Sequence, residues 1–445
     1  MSKLLLVLAA FLSIAFPLSL PLAAQVEPSA SGGSSSEDDS SMSVPPPVSG
    51  VPYATGEAKS NSLSASVGVT GAYITNIFPG DGSTPIDDAV ISIAPSIALL
   101  RSTPRQSVNL SYSPTFSFYE PTSVLDTMGQ SASLTFQLRA TPHSSVYVSD
   151  SFIRTTDAFN QSYPFSNPVT GATQSTGPVV IAPFAGQMMN SVSGGLDVQI
   201  SRDAMIGGGG SYSSFSLLNP QAGGGLFNST ASGANVFYDR RINARQYLGV
   251  GDEYSRTVSD GPSLQYETQV DSLNPFYTIY FTRNFSISAS VGLSYVLPSG
   301  LYSNPTNSWQ PIFGASTGWQ GKRTNLAANF SRSVVTGEGL LDVYNSDSFS
   351  GTAGAQLSKR WSASLTGSYA SIGSITTSSV SGLTTGDTIS GQAMMVRTFG
   401  EHINASFGYQ RLHEFYPTIA IISADPDSNR VYATLSYQFQ RPLGR

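Results

Sequence analysis

The three histidines are the first residues to consider for chemistry, because enzymes with an activated nucleophile usually place a histidine beside it. His143 and His402 lie in short, turn-like segments, whereas His413 lies at the far end of a strand-like segment. At least two of the three are therefore distant from any shared site. The sequence does not predict an enzyme.

Two further segments resemble ligand motifs but lack essential parts. Gly207 to Gly210 are four consecutive glycines, yet no Lys-Ser or Lys-Thr pair and no helical pattern follows them, as a phosphate loop requires. Asp425, Asp427 and Asn429 have the spacing of a calcium loop without its central glycine and distal glutamate. We predict no catalytic, metal-binding or cofactor-binding residues. The net charge of −6 and the lack of a basic patch argue against nucleic acid as a partner.

Most of the chain alternates apolar and polar residues with a period of two, and the elements that this pattern predicts must position any functional residues. In the last such stretch, apolar Val431, Leu435 and Phe439 alternate with polar Thr434, Ser436 and Gln438. No window shows a sustained helical period, so the alternation predicts strands. Similar stretches begin near Leu63, Val108, Ala132, Val192, Phe285, Trp361 and Ile403.

The connections between these strands come in two kinds that take turns along the chain. Eight are tight and often basic, such as 101–105 and 358–360, and a longer Gly-, Pro- and Asn-rich connection lies between each pair. This arrangement is typical of a transmembrane barrel with short periplasmic turns and long extracellular loops. It predicts a single antiparallel up-and-down β-barrel of about 18 strands, or 16 if the weakly patterned stretches 204–212 and 246–254 are not strands.

The composition agrees with an all-β membrane protein. Only 11% of the residues are charged, and soluble domains usually carry about twice as many. A strand with one face on lipid and the other on neutral polar surroundings needs few charges. A closed barrel is favoured over an open sheet, because unpaired backbone groups at a sheet edge would face hydrocarbon.

The chain divides into four predicted segments. Residues 1–24 read as a secretory signal peptide, with a membrane anchor as the alternative, and 25–60 as a disordered Ser-, Pro- and acid-rich periplasmic leader that could instead contact a partner. Residues 61–440 are the predicted barrel, and 441–445 a short C-terminal tail.

The final strand, Val431 to Phe439, resembles the C-terminal assembly signal of bacterial outer-membrane barrels, with Tyr437 and Phe439 as its aromatic residues. The region from 61 to 440 is similar to the porin-like outer-membrane β-barrel families. The resemblance implies the bacterial outer membrane as location, and the barrel-assembly machinery, outer-membrane lipid and lipopolysaccharide as partners; a homotrimer is an assembly that it allows. One departure is that Gln440 to Arg445 follow the aromatic residue that usually ends the chain.

Residues opposite in parity to the apolar ones line the predicted lumen, and they are Ser, Thr, Asn, Gln and Gly nearly throughout. The charges of inward parity are Asp197, Asp239 and Glu253. They could favour cations, or they could be solvated without any role in selectivity. A barrel of 16 to 18 strands is too wide for such small side chains to fill.

The longest connection, Thr155 to Gln187, is the third long loop and resembles in position the constriction loop of general porins. Asp157 is its only charge, and its apolar residues include Tyr163, Phe165, Ile181 and Phe184. We expect this loop to fold into the lumen, to cap the mouth or to form an extra hairpin.

The sequence leaves two functions open. The first is a channel for passive diffusion of small polar solutes through a nearly neutral, hydroxyl-lined lumen. The alternative is a non-conducting or plugged barrel that serves as a surface receptor, an adhesin or a component of an envelope polysaccharide system.

Overall fold

A computed structural model describes most of the chain from residue 61 to 443. The described residues are 61–77, 86–120, 126–157, 159, 165–166, 173–174, 186–218, 226–260, 265–282, 284–299, 307–337, 339, 341, 343–375, 385–416 and 427–443. The predicted signal peptide and leader lie outside them, so both stay predictions. Within the described part, no helix is long and apolar enough to cross a membrane.

The described residues form twenty strands, which follow one another along the chain. Their bounds are β1 Ser62–Thr75, β2 Asp88–Ser102, β3 Gln106–Glu120, β4 Thr127–Thr141, β5 Ser144–Thr155, β6 Phe165–Ser166, β7 Thr173–Gln174, β8 Gln187–Ser201, β9 Ala204–Leu217, β10 Ser229–Asn243, β11 Gln246–Asp260, β12 Gln265–Thr282, β13 Phe285–Ser299, β14 Ser308–Gln320, β15 Thr324–Val335, β16 Tyr344–Gln356, β17 Trp361–Ser374, β18 Thr385–Phe399, β19 Ile403–Phe415 and β20 Asp427–Pro442.

Eighteen of these strands form one closed antiparallel sheet. Each strand pairs with its neighbours in sequence, β5 pairs directly with β8, and β1 pairs with β20 to close the barrel. The two-residue strands β6 and β7 pair only with each other. The predicted barrel of 18 strands is therefore confirmed, and the alternative of 16 is wrong, because the two weakly patterned stretches belong to β9 and β11.

The strand bounds define two rims. At the short-turn rim, two to four residues join successive strands, as at 142–143 and 357–360. Most connections at the long-loop rim are longer, although β11 and β12 are joined by residues 261–264 alone. Four pairs of strands shift register by one residue just before a short turn, for example between Arg139 and Thr141, which tightens the turn.

The outer surface of the barrel carries a belt of exposed apolar side chains. A soluble protein would not leave such a continuous surface in water, whereas lipid accepts it. Aromatic residues frame the belt: Tyr295 packs on Trp309 near the long-loop rim, with ring centroids 4.8 Å apart, and the Arg397 guanidinium lies over Phe399 near the short-turn rim. Members of the belt include Val67, Ile97, Leu110, Leu196, Leu273, Val291, Leu365, Phe407 and Val431.

Several charged residues interrupt the outward face, and the sequence analysis did not single them out. Asp150 pairs in register with outward Leu134, and Asp252 with outward Leu273, so both carboxylates have lipid-facing parity. Arg332 and Asp347 form an outward pair at 3.5 Å. These residues show that alternation of polar and apolar types holds on average and not at every position.

Candidate functional site

The lumen is the candidate functional site, and hydroxyl groups cover much of its wall. Inward serines and threonines of neighbouring strands hydrogen-bond to each other, as Ser66 does to Ser96 at 2.6 Å and Thr70 to Thr434 at 2.8 Å. Each hydroxyl keeps lone pairs for water or a solute after this contact. Further pairs of this kind are Ser111 with Ser133, Ser272 with Ser294, Ser331 with Ser348, and Ser368 with Ser390.

One sector of the wall, formed by strands β8 to β11, has glycines at many inward positions. We call it the glycine sector. Large side chains from neighbouring strands lie flat on it. A Cβ at Gly195 would lie 2.6 Å from the Tyr147 hydroxyl, and one at Gly249 would collide with the Phe276 ring. The glycines therefore let the aromatic rings lie along the wall instead of projecting into the lumen. They are also the reason why the pattern of β9 and β11 was weak.

The three charges of predicted inward parity lie in this sector. Asp197 on β8 covers Gly207 and lies beside the Phe237 ring, since a Cβ at Gly207 would collide with both. Asp239 follows on β10 and is only 6% exposed. Glu253 on β11 pairs in register with Asn235 on β10 and Ser272 on β12, both inward.

The long-loop end of the lumen is narrowed by the start of the connection after β5. Asp157 forms an ion pair with Arg430 on β20 at 3.0 Å, and the two side chains are only 15% and 10% exposed. Strands β4, β3, β2 and β1 separate β5 from β20 in the sheet. The segment 155–159 thus crosses the inside of the mouth instead of standing above it.

Apolar contacts accompany this ion pair. Phe159 packs against a buried cluster of inward Ala72, Ile74 and Val90. The Arg430 guanidinium lies 5.9 Å from the centroid of the Phe159 ring, within the range of cation–π attraction. Tyr163, Ile181 and Phe184 of the predicted constriction loop lie outside the described residues, and for Phe165 only its place in β6 is described.

A second segment enters the mouth, and the sequence analysis missed it. The pairing of β15 with β14 stops at Arg332. Beyond it lies the β15–β16 tip, with described residues 333–337, 339, 341 and 343, and this tip leaves the wall. The Thr336 hydroxyl bonds to Thr257 on β11 at 2.8 Å, and Phe227 donates its backbone N–H to the Gly339 carbonyl at 2.9 Å. Both contacts reach strands on another part of the wall.

The inserted tip is anchored by buried valines. Val343 is fully buried against Val270 and Val296 of β12 and β13, and Val296 is itself fully buried. Gly337 and Gly339 adopt φ values of 80° and 93°, which other L-residues rarely accept. A connection with two glycines and apolar side chains at 341 and 343 is a sequence signal that could have identified the tip, but it is short and was overshadowed by the longer loop.

No family model and no curated protein matches this chain. Similar solved structures include OccAB4 of Acinetobacter baumannii, with a TM-score of 0.40, 10% sequence identity and coverage of 86% of this chain and 99% of that one. The outer membrane protein OpdK of Pseudomonas aeruginosa has a TM-score of 0.41, 9% identity and coverage of 85% and 99%. OccK2 (OpdF) of P. aeruginosa, in complex with glucuronate, has a TM-score of 0.42, 9% identity and coverage of 85% and 98%.

The closed sheet and its apolar belt decide the location. This chain is a transmembrane β-barrel of the outer-membrane type. In such a barrel Tyr437 and Phe439 face outward on β20 and are half exposed, where lipid would cover them.

The histidines do not form a group. His143 lies in the β4–β5 turn, His402 precedes β19, and His413 faces outward with Asp427 at 3.2 Å. Among the described residues, no three of His, Cys, Asp and Glu are arranged to hold a metal ion. The arrangement that remains is a polar lumen with a narrowed mouth.

Proposed function

We propose that the barrel is an outer-membrane channel through which small polar solutes diffuse passively. One observation carries the proposal: inward side chains of β4, including Ser131, Ser133 and Thr135, are exposed although they face the inside of a closed barrel. Exposure there requires open space within the lumen. The hydroxyl groups on its wall can replace part of the hydration of a polar solute.

The two inserted segments narrow the mouth in this proposal. The segment 155–159 and the β15–β16 tip enter from different sides of the barrel, and the first is held by Asp157 and Arg430. The loop from 155 to 187 then acts as the constriction, with Tyr163, Phe165, Ile181 and Phe184 as further candidates. The long-loop rim faces the outside of the cell, and the short-turn rim faces the periplasm.

Single-channel recording in planar bilayers tests the proposal. The purified barrel is first shown to be folded by its shifted mobility on an unheated gel, and is then added to a bilayer in KCl. We expect discrete, reproducible conductance steps. A folded barrel that gives no steps would contradict the proposal and support the closed receptor, adhesin or polysaccharide-system alternative.

A matched pair of variants separates an open lumen from a leak around the protein. Deletion of residues 163–184 should raise the step size, because it removes most of the loop between β5 and β8. Substitution of the outward residue Asp427 by Asn should leave the step size unchanged. An equal effect of both would show that the current does not pass through the lumen.

A further inference from the structure

The inward charges of the described strands are distributed unevenly. Carboxylates of inward parity are Asp88, Asp197, Asp239, Glu253 and Glu414, and inward arginines are Arg139, Arg241 and Arg430. Two of these arginines are neutralised by ion pairs, Arg430 with Asp157 and Arg241 with Asp203 at 2.6 Å. Arg139 lies at the short-turn rim. Among these described inward residues the five carboxylates outnumber the three arginines, so the wall of the lumen carries net negative charge.

Asp197, Asp239 and Glu253 all lie on the glycine sector, and Asp197 and Asp239 are each four residues from the short-turn end of their strand. Gly207 lies between Asp197 on β8 and Phe237 on β10 in the register, and Asp239 is two residues beyond Phe237. Glu253 lies on the adjacent strand β11, in register with Asn235. No described inward residue of these strands, apart from the paired Arg241, carries a positive charge.

A second observation concerns a buried carboxylate oxygen on this sector. Asp239 is 94% buried, being only 6% exposed, and its Oδ1 atom accepts no hydrogen bond within the protein. A buried carboxylate oxygen without a donor is costly, and positive charge in the adjacent lumen would lower that cost. The sector also offers the ring of Tyr147, which lies over Gly195, and aromatic rings attract cations.

We infer that the channel prefers small cationic solutes and that the glycine sector, with Asp197, Asp239 and Glu253, provides this preference. The inference rests on the proposed function and names its substrate class. Glycines are part of the device: they keep the aromatic rings on the wall, which leaves the lumen beside the carboxylates open to a solute. Carboxylates lining a water-filled pore select for cations because their field raises the local cation concentration.

The reversal potential across a KCl gradient tests the inference. A wall potential of about −1 kT enriches K⁺ and depletes Cl⁻, which makes the wild type about sevenfold more permeable to K⁺ than to Cl⁻. The preference should weaken at 1 M salt, where the screening length falls to about 3 Å. The double variant Asp197→Asn with Glu253→Gln should lose most of the preference while keeping its conductance steps.

Asp252→Asn is the matched control, because it removes a carboxylate of the same strand as Glu253 from the outward face. It should retain the wild-type reversal potential. If the double variant fails to fold, Asp197→Asn alone is the smaller change to measure. It should lower the preference for K⁺ in part.

The outcomes separate the two claims. A folded wild type without conductance overturns both the channel and its selectivity. Steps with equal permeability for K⁺ and Cl⁻, or a preference for Cl⁻, overturn the cation inference alone. A cation preference that survives in Asp197→Asn and in the double variant overturns its assignment to the glycine sector.

Discussion

The mouth of the barrel and the middle of its lumen use inward positions in opposite ways. Along the middle of β4 the inward residues Ser131, Ser133 and Thr135 are small, polar and exposed, so water reaches them. Near the long-loop rim, inward Ile74, Val90, Val270 and Val296 are buried beneath segments that enter the barrel. Inward parity therefore does not by itself make a residue part of a wet wall.

The contrast has a simple physical origin. A wide barrel cannot fill its own interior, so its inward residues remain polar unless another piece of the chain covers them. Where 155–159 and the β15–β16 tip do cover the wall, apolar residues gain from burial just as they would in a soluble core. The mouth is thus a small hydrophobic core built inside a transmembrane barrel.

The largest expected effect comes from a charge in that small core. Val343→Asp would leave a carboxylate among Val270 and Val296, at a cost of about 4 kcal/mol or more. We expect the β15–β16 tip to leave the mouth while the barrel stays folded, which should raise the single-channel conductance. Val343→Ile, which keeps the apolar contact, should conduct like the wild type. Unfolding of the whole barrel would show instead that the tip is part of its main structure.

The ion pair of Asp157 with Arg430 is the next test of the mouth. Removing one partner of a nearly buried pair costs about 3 kcal/mol, which multiplies the population of the released segment about 100-fold. Asp157→Asn and Arg430→Gln should each give larger or noisier conductance steps. Asp427→Asn breaks the exposed contact with Arg411, worth about 0–1 kcal/mol, and should change little. If it disturbs the current as strongly, the pair has no special role.

The middle of the lumen depends on glycine rather than on apolar burial. Gly249→Leu would push against the Phe276 ring, and such overpacking costs about 1–3 kcal/mol. We expect less folded barrel by the shifted gel mobility, and a smaller conductance in what does fold. Gly391→Leu is the matched control, because Gly391 faces outward and a Cβ there would lie 4.0 Å from the Thr366 carbonyl oxygen, an ordinary contact distance. Equal loss of folded protein in both variants would mean that glycine is needed at position 249 because of strand propensity and not because of the Phe276 ring.

Much of the fold could be predicted from the sequence because lipid and water impose the alternation locally, strand by strand. The weak patterns of β9 and β11 have a physical cause that the sequence did not reveal: Gly207 and Gly249 lie beneath rings from other strands, which no local pattern encodes. The same holds for the mouth. The parity of Arg430 follows from its neighbour Val431, but its partner Asp157 comes from across four strands, and only the tertiary structure brings them together.

The hydroxyl pairs of the wall should have the smallest effect. Thr70→Val together with Thr434→Val removes both partners of one hydrogen bond, which is nearly neutral for stability because neither partner is left unsatisfied. The two methyl groups that replace the hydroxyls lie in the wet part of the lumen, so we expect a slightly lower conductance and no change in the folded fraction. Val270→Thr makes the reverse change in the covered mouth, where the added hydroxyl must be buried, and should cost about 1–3 kcal/mol. If the double variant and Val270→Thr lost comparable stability, the wall at Thr70 would be as inaccessible to water as the covered mouth.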